Sequence, residues 1–344
     1  MHSFISSKLH LASLGFFALF VNIATCQNIL TDTTVVESFA DKFNVKINLE
    51  NKGESFRIEG IQIGGPAELK TNNTYYIGAS LDFQILGISL AFSPSFLPGN
   101  DDADLKGESS FFEITPRLAF KKWLQTIQYR RVEGYYIDNT EDFIPDWSEG
   151  EDPYIQIANS SSTTIGMSTS FIVNPNFSYK HILFQTEWQK RNEGSFIPKF
   201  DYNYNDYSLP INDIVYKDTS FDLSLALAYY YTFVIHENWF ITPDIAPSVG
   251  VSFAKLKTTS AEETITEKSN YFKTALESGL QLGYSSKRIF FGLILTSDFY
   301  WYDQPDRVFI ENNRFYGKLY FGYRFNSPGF IARPYSKFAK KVGI

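Results

Sequence analysis

Residues 220–257, SFDLSLALAYYYTFVIHENWFITPDIAPSVGVSFAKLK, decide the fold class of this chain. From Phe221 every second residue, through Leu223, Leu225, Leu227, Tyr229, Tyr231, Phe233 and Ile235, is apolar or aromatic. Between them stand Asp222, Ser224, Ala226, Ala228, Tyr230 and Thr232, which are mostly small or polar. Side chains on a strand alternate faces, so the run predicts one long β-strand with a greasy face and a wet or tightly packed one. His236-Glu237-Asn238 interrupts the pattern as a polar turn. It resumes with Trp239, Ile241, Ile245, Val249, Val251 and Phe253 on one face and Thr242, Asp244, Ser248 and Ser252 on the other. Such a hairpin is too long for most soluble sandwiches. It predicts an all-β chain, a transmembrane antiparallel up-and-down β-barrel.

Working outward, the composition agrees. Phe, Tyr and Trp together make 17% of the 344 residues, and barrels that carry aromatic girdles at both membrane interfaces need such residues. Mean hydropathy is only -0.20, because half of every barrel strand faces polar surroundings. The formal net charge of -7 argues against a nucleic-acid partner, which needs a basic surface to neutralise phosphate.

The N-terminus reads as a secretory signal: Lys8, an apolar run over 11–23, then Ala24-Thr25-Cys26 before Gln27. The run is too short to span a bilayer as a helix. Cleavage after Cys26 is expected; the rival reading makes Cys26 a lipidated residue, although Thr25 makes a poor lipobox. The chain has a single cysteine, so removal of residues 1–26 leaves no disulfide or cysteine-based metal site. Removing them takes away one Lys and no acid, moving the charge from -7 to -8.

Further strands are expected at 43–50, 56–63, 77–85, 88–92, 112–120, 123–137, 165–173, 177–190, 272–284, 289–301 and 315–325. Short and long connections alternate along the chain. Short ones fall near Gly87, Lys121, Pro175, Glu237 and Ser286; long ones at 64–73, 94–109, 138–162, 191–219, 258–267 and 303–313. Outer-membrane barrels have short periplasmic turns and longer extracellular loops, so this alternation sets an orientation. The organisation expected is a signal peptide over 1–26, a periplasmic segment over 27–53 with one extra strand at 43–50, a barrel over 54–326 and a basic periplasmic tail over 327–344. That count is twelve barrel strands. The alternative is fourteen, with 43–50 and a short strand at 195–200 added.

The run Asn174-Pro175-Asn176-Phe177-Ser178-Tyr179, then Gln185-Thr186-Glu187-Trp188-Gln189-Lys190 and Gly194-Ser195-Phe196, resembles the Bacteroidetes outer-membrane family catalogued as domain of unknown function 4421. The segments Asp41-Lys42-Phe43, Gly134-Tyr135-Tyr136 and Gly322-Tyr323-Arg324-Phe325 are similar too, so the likeness covers roughly residues 32–330. The resemblance implies an outer-membrane barrel. It supplies no activity and no functional residue.

The alternation turns a set of charged and polar residues inward: Glu113, Arg117, His181, Glu187, Asp222, Asp244, Lys273, Glu277, Asp298, Lys318 and Arg324. A channel lumen uses such residues to orient solute. The plainer reading is an interior ion-pair network filling a small barrel, since an unpaired buried charge is expensive. Beyond residue 26 the histidines are His181 and His236, and His181 shares its expected strand face with Gln185 and Glu187. No zinc-ligand spacing, phosphate loop or dinucleotide fingerprint appears, so neither metal nor cofactor is expected. The acidic loop 138–162 carries Asp138, Glu141, Asp142, Asp146, Glu149, Glu151 and Asp152, and reads as solvated charge, with calcium or lipopolysaccharide bridging as the alternative. Asp102-Ala103-Asp104-Leu105-Lys106-Gly107 begins like a calcium loop but puts Lys106 where a ligand belongs.

The function expected is a narrow channel or a structural envelope protein in the bacterial outer membrane. The alternative is an outer-membrane enzyme acting on lipid or lipopolysaccharide around His181. Expected partners are outer-membrane lipid and lipopolysaccharide, the barrel-assembly machinery during biogenesis, and a small solute.

Overall fold

Among the described residues the chain forms seventeen strands, in chain order β1 (Val36–Ser38), β2 (Lys42–Asn51), β3 (Ser55–Ile58), β4 (Ala67–Lys70), β5 (Tyr75–Phe83), β6 (Leu86–Phe92), β7 (Ser110–Phe120), β8 (Trp123–Ile137), β9 (Ile155–Phe171), β10 (Glu187–Gln189), β11 (Glu193–Ile211), β12 (Ile214–Ile235), β13 (Trp239–Thr259), β14 (Thr264–Ser285), β15 (Ile289–Tyr302), β16 (Phe309–Glu311) and β17 (Arg314–Asn326). The computed structural model describes residues 34–52, 55–59, 65–303, 309–311, 314–329, 332–335 and 337. The expected signal segment with Cys26, and most of the basic tail, lie outside the described residues.

Twelve of these strands form a closed antiparallel barrel. The order is β2, β5, β6, β7, β8, β9, β11, β12, β13, β14, β15 and β17, and β17 returns to pair with β2 from Asn326↔Lys42 to Gly317↔Asn51. Closure gives every barrel strand a paired neighbour on both sides, so the sheet has no free edge strand. The outward faces are apolar all round: Leu225, Val249, Phe272, Phe315 and Leu319 are each more than half exposed. A soluble monomer rarely exposes a continuous apolar surface beyond a few hundred Å².

Tight turns close the pairs β5–β6, β7–β8 and β12–β13 at one end. Gln84-Ile85 and Lys121-Lys122 are two-residue turns whose first residues adopt positive φ, 53° in both, and His236 and Glu237 do the same at 46° and 63°. Positive φ matches the twist of the flanking strands in such hairpins. The opposite end carries the longer connections at 93–109 and 138–154 and the β3–β4 hairpin, and with them the two-residue turn Asn212-Asp213 and the short turn between Thr259 and Thr264.

Several expectations are corrected. The strand at 43–50 is not an extra element: β2 is the first barrel strand, and the barrel runs from Lys42 rather than from residue 54. Its alternation was visible, but its partner β17 is almost the whole chain away. The strand expected at 56–63 is not a barrel strand over its described residues, 56–59, and its remainder lies outside them; β3 pairs with β4 and β16 in a small flap attached to β8 through Leu69↔Ile137 and Lys70↔Tyr136. Residues 177–190 are not a return strand either. They contain a short helix, Tyr179–Leu183, and the three-residue β10, and they bury Phe177, Tyr179, Ile182, Phe184 and Trp188.

The predicted loop at 191–219 is instead the whole of β11 and the start of β12, joined by Asn212-Asp213. Along β11, Phe196, Phe200, Tyr202 and Tyr204 face outward while Lys199, Asp201, Asn203 and Asn205 face inward. Tyrosine reads as polar in a composition count although its ring suits a lipid-facing surface, which hid the alternation. The predicted loop at 258–267 shortens to the turn between Thr259 and Thr264. The twelve-strand count therefore stands with different members, and the fourteen-strand alternative falls.

At Gly134 the wall divides. Its φ is +79°, and a Cβ there would lie 2.1 Å from the Glu108 carbonyl oxygen, so only glycine fits. The β7–β8 ladder ends at Ser110↔Glu133 and the β8–β9 register shifts between Glu133 and Tyr135, which frees the end of β8 for β4.

Candidate functional site

The barrel interior is organised in three levels. At the turn end, residues 172–192 fold into the barrel as a plug. Its apolar side, Phe177, Tyr179, Ile182 and Phe184, packs on Ala119, Leu124, Ile197, Ala228 and Ala246 of the wall. At the other end Phe56, Ile58, Ala67 and Leu69 of the flap pack on Val132, Tyr135, Ile137, Ile157, Leu209 and Tyr216, forming a lid. Between the two lies a polar chamber of about 480 Å³. The register of β11 shows the layering: Ile197 lies at the plug, Asp201, Asn203 and Asn205 line the chamber, and Leu209 lies at the lid.

The plug is held by polar contacts that follow from helix chemistry. The last carbonyls of a helix lack intrahelical partners and attract cations. Here the wall supplies them. Leu183 O accepts from Lys46 Nζ at 3.2 Å and, more loosely, from Arg117 Nη1 at 3.5 Å. Phe184 O accepts from Asn44 Nδ2 at 3.1 Å. Gln185 O accepts from Arg324 Nε at 3.0 Å. At its start the helix is capped by Ser178, whose Oγ accepts from His181 N at 2.9 Å and donates to Glu187 Oε2 at 2.6 Å. The N-terminal segment crosses the plug, pairing β1 with β10 through Val36↔Gln189 and Ser38↔Glu187. Gln189 ties Ser178 N and Asn176 O to the same unit.

Arg324 is the central wall residue of this joint. Its side chain is buried, donates to Gln185 O, Ser286 O and Ser285 Oγ, and lies 4.3 Å and 4.5 Å from the ring centres of Phe39 and Phe290.

In the chamber, charges of both signs are cross-linked. Lys273 Nζ meets Asp222 Oδ2 at 2.6 Å, and Asp222 also accepts from Ser252 and Asn205. Lys318 Nζ meets Glu50 Oε1 at 2.7 Å, Lys199 Nζ meets Glu277 Oε2 at 3.5 Å, and Arg117 Nη2 meets the buried Asp82 Oδ1 at 3.1 Å. Glu113 accepts from Gln128 at 2.8 Å.

Of the residues assigned inward from sequence, Glu113, Arg117, Asp222, Lys273, Glu277, Asp298 and Lys318 line the chamber. Asp244 points inward one level below, and Arg324 grips the plug. His181 and Glu187 belong to the plug and not to a strand face. The His181 ring is fully buried edge-on against Phe240, 4.3 Å between ring centres, with Nδ1 3.3 Å from Glu187 O. Burial holds its pKa down to about 4, the Glu187 carbonyl raises it, and Arg324 lowers it further. His236 sits in a turn, as expected. Sequence reasoning missed Lys46, Glu50, Gln128, Arg130, Asp201, Asn203, Asn205 and Arg314. The alternation of β2 and β11 would have found the first two and the three of β11, had both been read as wall.

These features define a closed, plugged β-barrel. A family model described as "Domain of unknown function (DUF4421)" matches residues 31–325, and the chain belongs to that family. No curated protein matches it. Among solved structures, it is similar to the β domain of the Bordetella autotransporter BrkA (9% identity, TM-score 0.43, 83% of this chain and 100% of that one). It is also similar to the COG4313 outer membrane channel from Pseudomonas putida F1 (9% identity, TM-score 0.35, 83% and 95%) and to LpxR from Salmonella typhimurium (10% identity, TM-score 0.34, 82% and 100%). The fold described above rests on the strand pairing, independently of these distant likenesses.

Proposed function

We propose that this chain is an outer-membrane channel for small polar solutes, held shut by its plug. The observation that carries the reading is the chamber of about 480 Å³, lined by charges of both signs and closed off at the turn end by a segment that joins the wall through an apolar cluster on one side and polar contacts on the other. A barrel serving only as scaffold has no need of that volume, and interiors ordinarily pack without voids of such size. The apolar outer faces suit a lipid environment and the short turns suit a periplasmic end. Mixed charge limits the conducted solute to something small that exchanges partners with the wall. A reaction centred on His181 finds no support, because the ring is packed inside the plug.

Planar-bilayer recording of the purified chain tests this. Wild type is expected to be mostly silent, with rare discrete openings, and Arg324→Met, which loosens the plug joint, to open often. Silence of both proteins, each shown to be folded by heat-modifiable gel migration, refutes the channel.

A further inference from the structure

Beneath the plug the chamber floor continues into a recess of about 110 Å³, lined among others by Lys46, Arg117, Gln185, Gln281, Lys318 and Tyr320. Its polar groups divide into committed and uncommitted sets. Glu50 is engaged by Lys318 and Asn48, and Glu113 by Gln128 and Thr115. Gln281 donates to Tyr320 Oη at 2.8 Å, which leaves its Oε1 with no partner. Gln185 is buried at 1% exposure, and neither its amide nitrogen nor its amide oxygen has a partner. The Arg117 Nε–H is unpartnered as well.

Lys46 bonds one carbonyl, Leu183 O, and lies 5.9 Å from the Tyr320 ring centre, so two of its three N–H donors are unspent; the carboxylates that act on its charge, Asp82 and Glu50, do so from beyond ion-pair contact. A buried polar group without a partner costs about 1–3 kcal/mol, and native interiors contain few of them. Here several converge on one recess, and their balance is lopsided. Among the recess-lining residues, donors come from Lys46, Arg117 and Gln185, and acceptors from the Gln185 and Gln281 amide oxygens. Asp82, which Arg117 holds through Oδ1, also keeps its Oδ2 without a partner.

We propose that this recess binds a small oxyanion, a carboxylate or phosphate group that carries a hydroxyl or a proton of its own. Lys46 supplies the charge. Arg117 Nε and the Gln185 amide nitrogen donate to the anion's oxygens, and the Gln281 and Gln185 amide oxygens accept from its hydroxyl. An apolar cavity of about 150 Å³ takes up benzene, so the recess holds a ligand of roughly four or five non-hydrogen atoms. Because Leu183 and Gln185 belong to the plug and Lys46, Gln281 and Lys318 to the wall, the anion bridges the two. The site rests on the channel reading only for its role, where it names the solute class and places it against the gate; its occupancy is independent of conduction.

The test uses the full chain, purified in detergent, with phosphate and glycolate as separate probes and chloride as the control anion, read by saturation-transfer NMR and calorimetry. Saturable binding of phosphate or glycolate, not displaced by chloride, is expected, and the better probe identifies the source. Lys46→Gln and Gln281→Leu each remove one hydrogen bond to the anion, a loss of about tenfold or more in affinity. Lys217→Gln, in an exposed pair with Asp206 away from the recess, leaves binding unchanged. Gln281 has no hydrogen bond to the plug among the described residues, its amide donating to Tyr320 of the wall, so its variant separates ligand loss from plug loosening; plug amide exchange in Lys46→Gln checks the same point. Absence of saturable binding by wild type, or equal affinity in Lys46→Gln and Gln281→Leu, overturns the site. Binding without conductance refutes the channel and keeps the site, and conductance without binding does the reverse.

Discussion

Replacing Arg324 with Met keeps an unbranched chain of similar reach while deleting the guanidinium that joins plug to wall. The guanidinium makes three hydrogen bonds, to Gln185 O at 3.0 Å, Ser286 O at 2.5 Å and Ser285 Oγ at 3.1 Å. Bonds from a charged donor contribute about 1.5–3 kcal/mol each, and a desolvated cation–π contact about 2 kcal/mol. Against this gross gain stands the cost of burying an unpaired cation, several kcal/mol. The balance leaves a net loss on the order of 2–4 kcal/mol, because Met removes the burial cost but strands two carbonyls. The twelve ladders do not pass through this joint except at β17, so the loss falls on the plug. A loss of about 2 kcal/mol raises the open population roughly thirtyfold. Hydrogen–deuterium exchange reads it directly: amides of residues 178–190 are expected to exchange at least about thirtyfold faster, with those of 220–257 unchanged. Uniform acceleration along the wall, or unchanged plug amides, would refute the account of Arg324 as a joint.

Acid is expected to loosen the same plug. His181 is held neutral with its pKa lowered to about 4, so the unfolded form binds a proton first as pH falls. The stabilisation is complete above about pH 6.5 and is lost between there and about pH 4, on the order of 3 kcal/mol in total; protection of the plug amides, taken relative to the intrinsic exchange rate at each pH from 7 to 4, should fall in wild type and much less in His181→Phe. On the outer face, Leu225→Arg places a charge in the apolar belt at a position 61% exposed, and a midplane arginine costs about 2–4 kcal/mol; reduced membrane assembly without loss of expression is expected, and normal assembly contradicts a lipid-facing belt. For orientation, single cysteines at Ser148 and Lys287, both exposed and at opposite ends, should differ in labelling on intact cells, Ser148 alone reacting; the reverse result inverts the topology.

Period-2 alternation is a local property of a strand, and residues 221–253 carry it without help from the rest of the chain. It therefore determined, from sequence alone, the all-β class, the apolar outer face and the inward placement of residues such as Asp222, Lys273 and Lys318. Pairing is non-local. Nothing in residues 43–50 names β17 as their neighbour, so only the tertiary structure decided that β2 closes the barrel. Residues 177–190 show why the interior was the least legible part. Their apolar positions are spaced well enough to pass for a strand, but a segment inside a barrel is buried on every side, and burial alone does not distinguish a plug from a wall. Which polar groups meet in the recess is decided the same way: Lys46, Arg117, Gln185 and Gln281 come from four separate segments, and their convergence exists only once the barrel has closed around the plug.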